Sequence, residues 1–332
     1  MMLKKIFIGL AILLILTPAG IYFLTRPSVL AKIVQLRVNA SAGDLKLTEL
    51  NFENIQFSQN GLVRIQGVSF TALLPLQKEK WRGGIPVVYL DNLKSFLGRK
   101  KITVSFPEAH LKANTAQLPR ISFKAPLTFS GRKWRITDGN VSIDSLASKG
   151  MVLTGLQARL NGNEELLTAD PWTFKWAGGN ISGDLTASKE TYKIHADVAQ
   201  VDLSEIARMK SAIFGPMNGH INGRIEIEGE AGKIRALKGY WDAPSGVEMR
   251  AVFLKLLLPY LPPSAQKNIL TDLIVHDAVV FFDHADVYMT SPQSDLMEFE
   301  IKLLSQKLNL NIDLKIDLNM DGGLKNLLDA FQ

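Results

Sequence analysis

The chain has 332 residues, of which 46% are hydrophobic and 21% are charged. These proportions exclude an intrinsically disordered chain and a protein that crosses a membrane many times. The absence of cysteine excludes disulfides, thiolate metal sites and cysteine nucleophiles. A chain of this length can bury a sizeable core, as one large all-β domain or as two ordinary domains.

The first element is an uncharged run of nineteen residues, Ile6 to Leu24, preceded by two lysines. As a helix it would span about 28 Å, close to the roughly 30 Å hydrocarbon core of a bilayer. We therefore predict a transmembrane anchor over residues 1–26, with residues 27–332 outside the cytoplasm as one β-rich body. A cleavable signal peptide ending near Thr17-Pro18-Ala19 is the alternative, and it also exports the body.

Helices are expected at only a few places in the body. Apolar residues at helical spacing predict a short amphipathic helix over Pro27–Val38. Start and stop residues predict further helices over Asn92–Arg99, Leu203–Phe214, Met249–Leu261 and Ser264–Val275.

Most of the body has the alternation of apolar and polar residues that is typical of half-buried strands. Phase shifts in this alternation indicate bulges or tight turns, with a break at Gly67 and turns at Asp138-Gly139 and Gly178-Gly179. Short strands recur about every 10 to 12 residues, the spacing of an antiparallel meander. The predicted fold is mostly β, with an amino-terminal transmembrane helix followed by a long antiparallel sheet and a few short helices.

The strongest alternation lies near the carboxyl end and predicts one long strand over Lys307–Asp321. Its apolar residues point to a common face, because successive side chains on a strand point in opposite directions. We predict that part of this face contacts lipid. The apolar residues are Leu308, Leu310, Ile312, Leu314, Ile316, Leu318 and Met320.

No constellation of residues in the sequence indicates an enzyme, a metal site or a cofactor. The five histidines lack a second ligand at the helical spacing of metal sites. Asp283 and Asp286, in the best acidic cluster, would point to opposite faces of a strand and could not share an ion. Gly229–Lys233 only superficially resembles a phosphate-binding loop and is predicted to be a hairpin turn.

Positive charge is concentrated between Lys78 and Arg135, where thirteen Lys/Arg stand against three Asp/Glu. Solvated turns are one explanation of such charge runs, and contact with anionic lipid head groups is the other. Two tryptophans beside the cations favour a membrane interface, and export argues against nucleic acid. The head-group candidates are Lys80, Arg82, Arg99, Lys100, Lys101, Arg132, Lys133 and Arg135.

Three parts of the sequence share the organisation of a known family. The first is the predicted anchor followed by a short helix, Gly43–Leu47 and Gly67–Phe70. The second is a series of glycine-punctuated hairpins, Met217–Ile225, Gly229 and Leu237–Gly239. The third is the terminal long strand with the residues before it, Leu303–Ile312. In these parts the sequence resembles AsmA-like proteins of the bacterial envelope, the family that includes AsmA, TamB and YdbH.

This resemblance implies a curved sheet folded into a trough whose apolar lining binds or conducts phospholipid or another acyl lipid for envelope and outer-membrane biogenesis. It also implies a single-pass bacterial inner-membrane protein with a periplasmic body and other envelope proteins as partners. The chain is also similar to the inner-membrane N component of type II secretion, which implies a scaffold without lipid cargo. An apolar sheet face must be covered, and the sequence allows either a second sheet or a ligand as the cover.

Overall fold

The computed structural model describes residues 27–28, 31–32, 35–36, 46–58, 60–74, 79–91, 101–113, 116–130, 133–148, 151–163, 165–188, 190–209, 216–230, 233–261, 263–293 and 296–319. The chain divides into two compact units, residues 1–149 and 150–332. Antiparallel strands dominate the described residues of both units, so the prediction of a mostly β protein with few short helices is confirmed.

The first unit contains seven strands in its described residues. They are β1 (Lys46–Asn51), β2 (Asn54–Phe57), β3 (Val63–Leu74), β4 (Glu79–Asp91), β5 (Lys101–Lys112), β6 (Ala116–Ser130) and β7 (Lys133–Ser148). Both β1 and β2 pair with β3, and each later strand pairs with the one before it. A small core forms around Val63, Ile65, Val68 and Val88.

The second unit contains eleven strands and two α-helices in its described residues. The elements are β8 (Met151–Asn163), β9 (Leu166–Trp176), β10 (Gly179–Ser188), β11 (Thr191–Asp202), α1 (Leu203–Met209), β12 (Met217–Glu230), β13 (Lys233–Asp242), β14 (Val247–Arg250), α2 (Ala265–Val275), β15 (Val279–Phe282), β16 (His284–Gln293), β17 (Leu296–Ser305) and β18 (Leu310–Asn319). Two 3-10 helices, Ala251–Leu256 and Leu258–Tyr260, lie between β14 and α2.

The main ladder of the second unit runs β8-β9-β10-β11-β12-β13-β16-β17-β18, and every pair in it is antiparallel. Residues 244–282 leave this ladder after β13 and return before β16; we call them the cap. Within the cap, β14 pairs with β15 and also with the first residues of β12. The cap therefore combines a two-stranded hairpin with short helices.

The strands are longer than the sequence predicted, because several phase shifts are bulges and not turns. Strand β7 continues through Asp138-Gly139, where Asp138 has φ 53° and the pairing with β6 shifts. The predicted turn there is therefore wrong. Strand β3 likewise continues through Gly67, at φ 60°. A bulge absorbs one extra residue while pairing resumes beyond it.

The turn predicted at Gly178-Gly179 is confirmed with a shift of one residue. Ala177 and Gly178 form the turn, with φ 45° and 74°, and Gly179 begins β10 opposite Trp176. Two positive φ angles are typical of the two-residue turns that match the twist of antiparallel strands.

The long terminal strand begins later than predicted. Gln306–Asn309 form a turn, with Asn309 at φ 48°, and β18 begins at Leu310. The Asp283 carboxylate accepts a hydrogen bond of 2.8 Å from the Gln306 amide, which stabilises this turn. Residues 306–309 therefore join β17 and β18 as a hairpin, so the prediction of a continuous strand from Lys307 is wrong.

The predicted helices are confirmed in part. Helix α2 begins after Ser264, whose hydroxyl accepts a hydrogen bond from the Lys267 amide as an N-cap. Met249 and Arg250 end strand β14, so the helix predicted from Met249 is wrong there, and the residues after it form the two 3-10 helices. The described residues between Pro27 and Leu36 are helical. The helix predicted over Asn92–Arg99 lies outside the described residues.

Within the described residues, no helix combines the length and the apolar character needed to cross a bilayer. The predicted anchor, residues 1–26, lies outside them.

Candidate functional site

The most extensive feature of the second unit is an apolar band that crosses its ladder. One row of directly paired residues crosses nine strands, and every member is apolar or glycine. This row is Ala158, Trp172, Gly183, Ala196, Ile225, Gly239, Met289, Phe299 and Ile316.

A second row lies two residues further along each strand, on the same face. Its members are Phe174, Ile181, Val198, Gly223, Trp241, Val287, Ile301 and Leu314. Glycine makes room for the aromatic ring here, because a Cβ atom on Gly223 would lie 2.7 Å from Trp241 Cε3. Paired strands lie about 4.8 Å apart, so nine strands give a band roughly 38 Å long. We call the two rows together the band.

The middle of the band is only partly buried. Ile225, Trp241, Val287 and Met289 each keep part of the side chain accessible. Large apolar side chains in a closed core are usually buried almost completely. In β10 and β11 the second row is buried at Ile181 and Val198. The accessible apolar surface therefore follows the first row from β9 to β16 and includes both rows in β12, β13 and β16.

A cleft of about 350 Å³ opens on this part of the band. Trp176, Trp241 and Val287 belong to its sheet wall, Ile206 of α1 lies on one side, and Met249 of the cap lies on another. Asp242 is the one charged residue in its lining. Small-molecule sites are typically concave and mostly apolar, with volumes of about 300–1,000 Å³. The cleft therefore suits an apolar ligand.

Helix α1, which forms one wall of the cleft, is held at its start by Asp202. The Asp202 carboxylate accepts a hydrogen bond of 2.7 Å from the Ser204 amide, and the Asp202 amide donates to the Ala177 carbonyl. Hydrogen bonding from Ser204 lowers the pKa of Asp202 against the opposing effect of burial, and His220 adds a smaller favourable charge. The ionised carboxylate thus stabilises the start of α1, and the Asp202 backbone amide ties this point to the β9–β10 turn.

We expect Asp202→Asn to lower the melting temperature at pH 7, because asparagine lacks the charge that Ser204 and His220 stabilise. A folded-state pKa below the unfolded value gives stability that is present above the unfolded pKa and is lost as pH falls through the folded pKa. The difference in melting temperature between wild type and variant should therefore shrink below about pH 4. A difference that stays constant from pH 7 to pH 3 would contradict this role of the charge.

The cap covers the other end of the same face. Leu310 and Ile312 of β18 are fully buried, and Leu314 and Ile316 are nearly so. They form one core with buried cap residues, which are Val247, Ala251, Leu254, Leu261, Leu270, Val280 and Phe282. The sequence left open whether a second sheet or a ligand covers this face; in the structure, the cap covers the β18 part.

The seven predicted lipid-contacting residues are thus divided. Leu310, Ile312, Leu314 and Ile316 lie in the covered core, and Leu308 lies in the preceding turn, packed against that core. The side chain of Leu318 and the whole of Met320 lie outside the described part of the chain.

The opposite face of the ladder is polar and is crossed by ion pairs. Lys193 Nζ lies 2.6 Å from Glu228 Oε1, and Arg224 Nε lies 2.8 Å from Asp197 Oδ1, in both cases between directly opposed residues of β11 and β12. Exposed pairs of this kind contribute little stability, but opposite charges directly across strands favour the register. This face therefore faces solvent.

His195 on the polar face is the nearest approach to a catalytic or metal arrangement. Its Nδ1 lies 3.1 Å from Asp184 Oδ1, and its Nε2 lies 3.6 Å from Asp197 Oδ1. Among the described residues, no group of three or more His, Cys, Asp or Glu side chains is arranged to hold a metal ion.

Burial and the Asp242 and Asp286 carboxylates raise the pKa of nearby Tyr240 to about 12, so this phenol stays protonated at neutral pH.

The described head-group candidates lie in the first unit. Lys80, Arg82, Lys101 and Arg135 are exposed. Arg82 lies directly opposite Lys112 on β5, an arrangement of like charges that costs stability unless an anion is nearby. Arg99, Lys100 and Arg132 lie outside the described residues, as does the side chain of Lys133.

Comparisons with known proteins add no family or relative. The chain matches no protein-family model, no curated protein and no solved structure. The resemblance to AsmA-like proteins stays a prediction.

The cleft could not be predicted from the sequence because its residues are far apart in the chain. In the sequence, Trp172, Phe174 and Trp176 alternate with polar residues, and so do the apolar residues from Tyr192 to Val198. Their alignment with Ile225 and Met289 depends on the register of the intervening hairpins. Only the aromatic alternation in β9 pointed towards this site.

Proposed function

We propose that this protein binds acyl lipid along the apolar band of its second unit and serves the biogenesis of the bacterial envelope. The observation that carries the proposal is the accessible middle of the band, where Ile225, Trp241 and Val287 remain partly exposed on a face without charged residues in either row. Contiguous exposed apolar surface of this kind marks a binding site in soluble domains.

The dimensions of the band suit an extended hydrocarbon chain. One leaflet of a bilayer contributes about 15 Å of hydrocarbon, half of the roughly 30 Å core. The accessible part of the band crosses six strands from β9 to β16, about 24 Å, which is long enough for an acyl chain to lie along it. Burial of each CH2 group contributes about 0.8 kcal/mol, so even partial occupancy of the cleft would hold a long chain.

The remaining parts of the proposal concern location. The uncharged run Ile6–Leu24 would anchor the protein in the inner membrane as a single span, with the body in the periplasm. The exposed cations Arg82 and Lys101 would contact phospholipid head groups. A reporter fused after Gln332 that is active only in the cytoplasm would contradict this topology.

The test uses a fragment of residues 27–332, purified without its predicted anchor. We expect phospholipid or another acyl lipid to co-purify at a fixed molar ratio and to be identified by mass spectrometry after organic extraction. A fragment that carries no stoichiometric lipid and instead captures envelope proteins would support the alternative, a scaffold of a secretion machinery, and would contradict the lipid-binding function.

A further inference from the structure

The cap is inserted into the ladder at a single point. Strands β13 and β16 on either side of it pair directly, and their last registered pair is Asp242 with Asp286. The Ala243 amide donates to the Ala285 carbonyl at 3.0 Å, so the two ends of the cap meet. Gly246, at φ 77°, turns the chain into β14. The cap is also held by the pairing of β14 with Met217–Gly219 of β12. Movement about the junction would separate these three pairs, while the ladder from His220 onward could stay paired.

The contact between the helical part of the cap and the ladder is made by apolar side chains. Leu254, Leu261 and Leu270 pack into the core that contains Ile312 and Leu314. The hydrogen bonds and ion pairs of the described residues 251–275 stay within the cap, as in the 2.9 Å bond from Lys267 Nζ to the Leu261 carbonyl. Apolar burial is non-directional, so an acyl chain could replace these cap side chains on the ladder.

The covered core contains one polar group without a partner. Ser305 follows Leu303 on the apolar face of β17 and is fully buried, and its hydroxyl has no hydrogen-bond partner among the described residues. A buried hydroxyl without a partner is destabilising and is uncommon in native structures. The closed arrangement therefore has a defect that opening would relieve, because the hydroxyl could then bond to water or to an ester carbonyl.

We propose that the cap is a hinged cover, and that the β17–β18 face beneath it is a second section of the lipid site, entered by an acyl chain when the cap lifts. This inference rests on the proposed lipid-binding function and adds the regulation of that site. In the closed state, cap side chains occupy the face where the chain would lie, so lipid and cap compete for it. Lipid then shifts the equilibrium between the closed and the open cap only as far as it binds the open state more tightly than the closed state.

The test locks the cap with a disulfide in a protein that has no native cysteine. Asn218 of β12 and Glu248 of β14 are directly opposed, and Asn218 Nδ2 donates to Glu248 Oε2 at 2.8 Å, so both side chains point the same way. Directly opposed antiparallel residues have Cα atoms about 4.5–5.5 Å apart, within the disulfide range. The matched control is Lys193→Cys with Glu228→Cys, an opposed pair of β11 and β12 away from the cap.

Each full-length variant is reconstituted in phosphatidylglycerol vesicles that contain a phospholipid with a photoreactive acyl chain, and the adducts are mapped by peptide mass spectrometry. In the oxidised Asn218→Cys/Glu248→Cys protein we expect adducts on residues 296–319 to fall about tenfold, while adducts on residues 166–241 persist. Reductant should restore the adducts on residues 296–319. Oxidation of the control pair should change the labelling of neither region.

Equal labelling of residues 296–319 in the oxidised and reduced locked protein would overturn the hinged cover and leave the proposed function intact. No labelling of either region in the reduced protein would overturn both the hinged cover and the proposed lipid-binding function.

Ser305→Ala supplies a second measurement that does not depend on a disulfide. Removing the unpaired hydroxyl stabilises the closed state, so we expect a higher melting temperature together with about threefold less labelling of residues 296–319. A higher melting temperature with unchanged labelling would argue against competition between cap and lipid.

Discussion

Ile312→Asp is expected to destabilise the second unit by about 4 kcal/mol, among the largest effects of a single substitution. The Ile312 side chain is fully buried between Leu310 and Leu314, within the core shared with the cap. An aspartate there either buries an unpaired charge or takes up a proton, and it also removes packed methyl groups. The shift of the urea midpoint, followed by circular dichroism, measures the loss.

The control is Asn311→Asp, which places the same charge on the adjacent residue of β18. Asn311 is exposed and faces away from the core, so its substitution should change the free energy of unfolding by less than about 0.5 kcal/mol. If the two variants unfold at the same urea concentration, the cap does not shield the Ile312 side chain from water.

Ile225→Asp is expected to abolish most lipid binding while the protein remains folded. Ile225 lies in the band between Ala196 and Gly239, on the part that the cap does not bury, and its side chain is partly exposed. The carboxylate can therefore stay hydrated, and we expect a loss of stability of only about 1–2 kcal/mol. In the complex, the same carboxylate would lie against an acyl chain, so retained lipid should fall at least about tenfold.

Asn180→Asp serves as the matched control for this variant. Asn180 is exposed in β10 and pairs with Lys175, on the polar face. The variant adds the same charge to the same ladder without touching the band, so lipid retention should match the wild type. Comparable lipid loss in both variants would show that net charge, and not the band, controls retention.

Ile312→Asp and Ile225→Asp test two parts of one sheet face, one covered and one accessible, that have the same alternating pattern in the sequence. Strand β18 was recognisable because apolar and polar residues alternate without interruption from Leu310 to Leu318. What covers it could not be predicted, because the cover comes from Leu254 and Leu270, which reach β18 only through tertiary packing. Periodicity defines the face of a strand but not the partner of that face.

The band itself illustrates a second limit of sequence-based prediction. Alternation in β9 and β11 is visible in the sequence, but a row such as Trp172, Ala196 and Ile225 exists only once the strand register is known. Bulges shift that register, as between Val198 and Val201. A one-residue slip moves every side chain to the other face. For the same reason His195 could not be placed beside Asp184 before the pairing was known.

The cap also has a consequence for how the ladder assembles. Every other pairing in the ladder of the second unit joins strands that follow one another in the chain, and the longest of these connections contains only helix α1. The pairing of Asp242 with Asp286 instead closes a loop that contains the whole cap. The entropic cost of closing a loop rises with the length of the loop. Contacts between distant parts of a chain also slow folding. The junction of β13 and β16 therefore carries the largest loop-closure cost in the ladder, and it separates two series of strands that pair in chain order.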